Sequence, residues 1–196
     1  MTQPVTIRTE EPSDHAAVRR VNEQAFGRVL EADLVDALRA AGAATLSRVA
    51  EANGEVVGHV LFSPVTIETA SGMRTALGLA PLAVLPERQR QGVGTRLVEE
   101  SLARLRADEH GAVIVIGHAS YYPRFGFDRA SRWGLRVDFE VPDDAFMALE
   151  LVPGALAGCA GTVRYRPEFD SVSEEGSEDR GPKNTSTNEG RVTKDP

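Results

Sequence analysis

The chain has 196 residues, of which 22 are basic and 29 are acidic, giving a formal net charge of −7. This length predicts one domain, or one domain with a tail, and a hydrophobic content of 41% is enough for a real core. No apolar run approaches the roughly 18 residues of a membrane-spanning helix, and the acidic balance argues against general affinity for nucleic acids. The first residues carry no basic-then-apolar leader, so we expect a cytoplasmic protein without membrane or nucleic-acid partners.

Cysteine and histidine usage argues against disulfide and metal chemistry. The single cysteine, Cys159, excludes an intramolecular disulfide and a zinc site built from cysteine clusters. The four histidines show no metal-ligand spacing, so no metal is expected. Cys159 is interpreted as a small buried residue.

Residues 168–196 are predicted to form an acidic, polar, disordered tail. They hold eight acidic and four basic residues, a net −4 that leaves −3 on residues 1–167. Their few large apolar side chains cannot bury enough surface to offset the entropy lost on ordering. The folded domain is therefore expected to span residues 1–167, where every basic residue is arginine.

The first part of the chain predicts one strand and two helices. The alternating segment 4–8 predicts a strand. A helix capped by Ser13 is predicted to run to about Phe26. A second helix is predicted over about 31–40, ended by Gly42.

The hydrophobic period then changes to two, which predicts three antiparallel strands. Segments 45–52 and 55–67 are strand-like, and Asn53-Gly54 between them is a hairpin turn signal. Pro64 predicts a bulge or an edge position in the second of these strands. A third strand is predicted over 74–85 and is closed by a proline.

The clearest helix follows, with apolar residues on one side from Val93 to Leu105 and a glycine after its end. Residues 112–117 read as a buried strand, and 134–166 contain strand-like pieces interrupted by Pro and Gly. The order of elements predicts an α/β domain with an antiparallel meander in the middle.

The start of the clearest helix has the chemistry of an anion site. Gly92 and Gly94 allow the backbone to approach a phosphate, and a first helical turn offers unpaired N–H groups and the positive end of the helix dipole. Arg88 and Arg90 add charge suited to phosphate. Dinucleotide and Walker A patterns both fail here, because Leu97 stands where the last glycine would be and no Gly-Lys-Ser/Thr is present.

Residues Gln89 to Gly94 instead match Gln/Arg-x-x-Gly-x-Gly/Ala, and here the sequence resembles the GNAT superfamily of acetyl-CoA-dependent N-acetyltransferases. The preceding segment Leu82 to Pro86 is similar to the central strand of that family, L-x-V-x-P. The segment Tyr121 to Phe127 is similar to the family's Tyr-x-x-x-Gly-Phe signature. Two motifs in the right order, separated by a helix and a strand, argue against a chance match.

Residues 1–167 as a whole are similar to a bacterial branch of this superfamily. The shared features are an E-x-x-L-V-x-x-L-R helix from Glu31 to Arg39, the Y-Y-x-R-F-G-F segment, and a closing E-L-x-P-G-A-L from Glu150 to Leu156. One departure is His118-Ala119, which stands where that branch often has Asp-Pro after the strand's glycine.

The resemblance implies a GNAT acyl-CoA N-acyltransferase fold, with a mixed, mostly antiparallel central sheet flanked by helices. It implies acetyl-CoA as the acyl-donor substrate, with the pyrophosphate in the glycine loop. The pantetheine arm would be held by backbone groups of a strand that splays from its neighbour. The residues expected to bind it are Leu82, Ala83, Val84, Gln89, Arg90, Gln91, Gly92, Val93, Gly94 and Thr95.

Tyr122 matches the family tyrosine near the coenzyme sulfur, where a phenol can donate a proton to the leaving thiolate. Tyr121 is interpreted as core or as a wall of the pocket. The general base that would deprotonate the amine is left open between Glu31, His59, His118 and a water chain.

The leading hypothesis is an enzyme that acetylates a primary amine, small-molecule or peptide, as a monomer or homodimer. The alternative is a non-catalytic acyl-CoA-binding or sensing module on the same fold. A third, a nucleotide-binding protein, is disfavoured by the failed Rossmann and Walker spacings.

Overall fold

The computed structural model describes residues 4–170. Most of the predicted tail, 171–196, lies outside the described residues. The described chain continues past the domain end predicted at 167, because Pro167–Phe169 form a 3-10 turn and Phe169 packs against the core.

Three α-helices and nine strands form within residues 4–170. The helices are α1 (His15–Phe26), α2 (Leu30–Ala40) and α3 (Val93–Ala107). The strands are β1 (Thr6–Thr9), β2 (Leu46–Ala52), β3 (Glu55–Thr69), β4 (Gly72–Val84), β5 (Ala112–Ile116), β6 (Asp128–Arg129), β7 (Leu135–Arg136), β8 (Phe146–Glu150) and β9 (Gly161–Arg164). No helix in this part of the chain has the length and apolarity to cross a bilayer.

All nine strands join one sheet, which is mixed and mostly antiparallel as predicted. The main order is β1-β2-β3-β4-β5-β8-β6, and β9 pairs with both β3 and β7. The predicted meander is the antiparallel run β2-β3-β4. Strands β4 and β5 are parallel, because α3 carries the chain back between them.

The helices cover opposite faces of this sheet. A Cβ placed on Gly58 of β3 would lie 3.0 Å from Leu97 and 3.1 Å from Val93, so α3 covers that face closely. Side chains alternate along a strand, so the next residue, His59, points to the other face. There its Nδ1 lies 3.1 Å from Nδ2 of Asn22 in α1, and α2 packs beside α1.

The N-cap predicted at Ser13 is wrong by one residue, because Asp14 occupies that position. Pro12–Asp14 form a 3-10 turn and α1 begins at His15. The turn is closed by Asp14, whose carboxylate accepts from the Glu11 N–H at 2.8 Å and from Arg8 at 2.6 Å. The Arg8 hydrogen bond is the main reason that the pKa of Asp14 falls to about 2.

Pro64 was predicted to mark a bulge or an edge position, and in the structure it occupies an edge position of β3. On the side of β3 away from β4, pairing with β2 ends at Phe62 and pairing with β9 begins at Thr66. Pro64 lies between these partners, where no N–H is needed, and it pairs in register with Leu77 of β4 on its other side. The register shift lies nearby, between Val60 and Phe62.

The strand-like pieces predicted within 134–166 form only the short strands β7, β8 and β9. Cys159 beside them is 3% exposed and packs in a second apolar cluster with Leu156 and Val163. It is a free thiol, as its interpretation as a buried small residue predicts.

Candidate active site

The sheet opens between β4 and β5. The two strands pair only at Leu77 with Val113 and at Gly78 with Ile114, although β4 continues to Val84. The splayed strand expected from the resemblance is therefore present. The far part of β4 is left without a strand partner on its β5 side.

Two residues of β4 direct their backbone groups into this gap. The Leu85 N–H donates to the Val57 carbonyl at 3.0 Å, on the β3 side. Because backbone groups alternate sides along a strand, Ala83 also pairs towards β3, where it is opposite His59. The N–H and C=O groups of Leu82 and Val84 therefore point towards the gap.

A cavity of about 720 Å³ fills the gap and reaches the helices on both faces of the sheet. The start of α3 lines it on one side, and the end of α1 and the start of α2 line it on the other. Its size is in the range of small-molecule and cofactor sites.

The glycine loop forms the α3 side of the cavity. Gly92 has a φ of +82°, a left-handed conformation that favours glycine, and α3 starts directly after it. A Cβ on Gly94 would lie 2.9 Å from the Tyr121 hydroxyl, so this glycine keeps the backbone accessible. The Gln89 side chain donates to the Val84 carbonyl at 3.1 Å and so joins the loop to the open edge of β4.

The structure brings most of the predicted binding residues to the cavity. Three of them do not line it. Ala83 is buried and its backbone pairs with β3. Gln91 is exposed, and its side chain donates to the Glu87 carbonyl at 2.7 Å. Val93, the first residue of α3, is buried against the sheet. Those that line the cavity are Leu82, Val84, Gln89, Arg90, Gly92, Gly94 and Thr95, together with Tyr122.

Tyr122 lies in the cavity wall and is 7% exposed. Its ring packs edge-to-face with Tyr121 at 5.1 Å and with Phe127 at 5.6 Å between centroids. Burial, reinforced by Tyr121, raises the pKa of the Tyr122 hydroxyl above its ordinary value of 10.0. The phenol therefore remains a hydrogen-bond donor throughout the neutral pH range.

Tyr121 is a wall of the cavity, as predicted, and it contacts the glycine loop. Its hydroxyl hydrogen-bonds Thr95 in the first turn of α3, and burial raises its pKa. The Arg124 guanidinium lies over its ring, 4.6 Å from the centroid. The Tyr-x-x-x-Gly-Phe segment thus places two phenols on one cavity.

The structure separates the three side chains considered as general base. Glu31 and His118 line the cavity. His59 does not, because it is fully buried between Asn22 and Ser47, whose hydroxyl lies 2.9 Å from its Nε2. Burial, with a smaller contribution from Arg39, lowers the pKa of His59 to about 3, so the imidazole is neutral and cannot reach an amine in the cavity.

Sequence reasoning missed two residues that shape the site. Gly117 lies against the Tyr122 ring, where a Cβ would be 2.4 Å from Cε2. Its signal was its position at the end of a buried strand. Phe169 lines the cavity from the C-terminal 3-10 turn, within a segment whose composition predicts a tail.

Comparison with known proteins agrees with this geometry. Residues 6–130 match the family model described as an acetyltransferase (GNAT) domain. The chain is 36% identical over 164 residues to the uncharacterized N-acetyltransferase YhbS of Escherichia coli K12, covering 83% of this chain and 97% of YhbS. It is 39% identical over 142 residues to YjhQ of the same strain, covering 71% and 78%.

Two solved structures are similar over nearly the whole described chain. The crystal structure of E. coli YhbS in complex with CoA has a TM-score of 0.80 at 34% identity and covers 87% of this chain and 94% of that one. A GNAT family acetyltransferase from Brucella melitensis in complex with acetyl-CoA has a TM-score of 0.72 at 38% identity, covering 86% and 100%. This chain belongs to the GNAT acetyltransferase family.

Proposed function

We propose that this protein transfers the acetyl group of acetyl-CoA to a primary amine by direct attack on the thioester. The observation that carries the proposal is the meeting of three features on one cavity: the glycine loop, the open edge of β4 and Tyr122. The similar structures from E. coli and Brucella melitensis contain CoA and acetyl-CoA, which supports this choice of donor.

The residues present fit an acyl-CoA. The N–H groups at the start of α3, around Gly94 and Thr95, have no intrahelical partners and suit a pyrophosphate, and Arg90 adds positive charge. The Leu82 N–H and C=O and the Val84 N–H would pair with the amides of the pantetheine arm as a missing strand would, beside the Val84 carbonyl that already accepts from Gln89. An N–H on this edge would polarise the thioester carbonyl, as in an oxyanion site.

The acyl transfer needs two proton movements. The amine first loses a proton to solvent, and its nitrogen then bonds to the thioester carbonyl carbon while the carbon–sulfur bond breaks. Tyr122 donates its hydroxyl proton to the departing thiolate. The nitrogen sheds its surplus proton as the amide forms, and solvent returns a proton to the Tyr122 phenolate. No covalent acyl-enzyme is required, which leaves the buried Cys159 without a chemical role.

Two measurements test the proposal. Acetyl-CoA should raise the melting temperature of the full chain, because a ligand that binds only the native state stabilises it. Absence of a shift at millimolar acetyl-CoA would refute the proposal. Release of free CoA thiol on addition of an amine then separates an enzyme from the non-catalytic acyl-CoA-binding module, which would bind acetyl-CoA and release no thiol with any amine.

A further inference from the structure

The part of the cavity on the α1–α2 face is mostly apolar. This part, called here the acceptor half, is formed by Ala25 and Phe26 of α1, Glu31 and Leu34 of α2, and Phe169. The turn that carries Phe169 packs against α2, which fixes the aromatic ring at this wall. Four of the five side chains are hydrocarbon, so the acceptor half favours an apolar ligand.

Exposed apolar side chains also line this cavity. Phe26 is 41% exposed and Ile116 is 38% exposed, and both line the same cavity. They are two of six large hydrophobic side chains that are exposed among residues 4–170. Their clustering around one concave site indicates a surface that a ligand covers.

One negative charge is set among these apolar walls. Among the described residues that line the cavity, Glu31 is the only acidic side chain, and it is just 7% exposed. Its one ion-pair partner in the described structure is Arg28, which is 47% exposed and whose Nη2 lies 2.5 Å from Oε1. Carboxylate Oε2 takes only the longer contact from Arg28 Nε, at 3.1 Å, so it retains acceptor capacity.

From this arrangement we propose that the acceptor is a primary amine on an apolar body of about aromatic size. The ammonium group binds the Glu31 carboxylate, and the body packs between Phe26, Leu34 and Phe169. This assignment rests on the proposed function, because it takes the other half of the cavity as the acetyl-CoA site.

The same chemistry disfavours polar acceptors. A polyamine would place a second charge against hydrocarbon walls that offer no partner, and burying an unpaired charge is costly. A short hydroxyalkylamine would leave the apolar walls uncovered and gain nothing from them. The acceptor half therefore selects on both the charge and the body of the amine.

The first test compares three amines in a thiol-release assay with the full chain and saturating acetyl-CoA. We expect kcat/KM for 2-phenylethylamine to exceed that for ethanolamine by roughly 10- to 100-fold, the gain from burying one phenyl ring. Spermidine should be the poorest acceptor. A preference for ethanolamine or spermidine would overturn the assignment, as would absence of turnover with 2-phenylethylamine.

Two variants separate ammonium binding from a structural role of the Arg28–Glu31 pair. Glu31→Gln should raise the KM for 2-phenylethylamine about 10- to 100-fold, because it removes a charged hydrogen-bond acceptor. Arg28→Ala breaks the same pair but removes a competing cation, so it should lower that KM. If both variants raise the KM equally, Glu31 serves the fold and the proposal fails.

The wall is tested by Phe169→Ala with Phe139→Ala as its control. Phe139 is 51% exposed and does not line the cavity. Phe169→Ala should lower kcat/KM for 2-phenylethylamine more than for ethanolamine, and Phe139→Ala should change neither. Equal loss for both amines would refute the packing role. In every case the thermal shift with acetyl-CoA is measured first, because its absence defeats the proposed function, whereas a normal shift confines any failure to the acceptor assignment.

Discussion

The Tyr122 ring packs directly on the backbone of Gly117, so closely that a Cβ at residue 117 would lie 2.4 Å from Cε2 and 3.1 Å from Cδ2. The Gly117 N–H donates to the Ala145 carbonyl at 2.9 Å, which ties this backbone to the segment that enters β8. The position of the phenol therefore depends on the absence of a side chain at Gly117, which directly follows β5.

Gly117→Ala is expected to displace the Tyr122 ring and lower kcat at least tenfold, while the Kd for acetyl-CoA changes little. Overpacking of this kind costs about 1–3 kcal/mol of stability, so kcat is measured well below the melting temperature. Gly111→Ala is the control, because its Cβ would meet only Ala155, at 3.3 Å. An unchanged kcat in Gly117→Ala would show that the ring position is not critical.

Tyr122→Phe is expected to lower kcat and leave the Kd for acetyl-CoA nearly intact. Because burial raises the pKa of this hydroxyl, wild type donates throughout the neutral range. The ratio of kcat in wild type to kcat in Tyr122→Phe should therefore stay constant from about pH 6 to about pH 9. Tyr165→Phe makes the same chemical change outside the cavity and should leave kcat unchanged. A wild-type rate in Tyr122→Phe would remove the acid role.

Gly94→Ala is expected to weaken acetyl-CoA binding, because the new methyl group would lie 2.9 Å from the Tyr121 hydroxyl and project into the cavity. Gly92→Ala should also weaken acetyl-CoA binding. In addition it should lower the free energy of unfolding by about 1 kcal/mol or more, since φ at Gly92 is +82°. Gly54→Ala provides the match, with φ +76° in the β2–β3 turn. Gly54→Ala should lose a similar amount of stability, and calorimetry should show an unchanged Kd for acetyl-CoA. A raised Kd in this control would mean that backbone strain alone accounts for the effect.

The buried imidazole of His59 predicts a loss of stability in mild acid. Its pKa is about 3 in the folded protein, against about 6.5 when unfolded, because burial disfavours the charged form. Between these values the unfolded chain binds a proton that the native state does not, so stability falls as pH drops below about 6.5. Glu10 lies 3.9 Å from Nε2, but this carboxylate is already ion-paired with Arg39, and burial dominates.

The free energy of unfolding should fall by up to about 1.4 kcal/mol per pH unit because of His59 alone. Urea unfolding at several pH values measures this slope. His59→Gln should flatten the slope between about pH 6.5 and pH 5. Equal slopes in wild type and His59→Gln would contradict this account.

Local signals in the sequence were enough to predict the meander, α3 and the glycine loop. Asn53-Gly54 marks the β2–β3 turn of the meander by residue type alone. The apolar positions from Val93 to Leu105 define one face of α3 without reference to the rest of the chain. The acid role of Tyr122 and the binding roles of individual loop residues stay predictions.

What the sequence could not supply depends on contacts between distant segments. Ser13 has the right chemistry for an N-cap. The carboxylate of Asp14 closes the turn instead, because Arg8 of β1 lies beside it and donates to it. His59 was a candidate base because a sequence does not reveal which face of a strand meets a cavity. Phe169 reaches α2 only through the folded path of β9, so no local pattern could assign it to the site.

The opening between β4 and β5 has a consequence for how this family can change over time. At Leu82 and Val84 it is the main chain that faces the gap, so the identity of either side chain matters less than the path of the strand. Under the proposed function, recognition of the donor would then persist while these side chains vary. The proposed acceptor half is built from side chains, so we expect exchange of Phe26, Glu31 or Phe169 to redirect the proposed acetyl transfer to a different amine without rebuilding the fold.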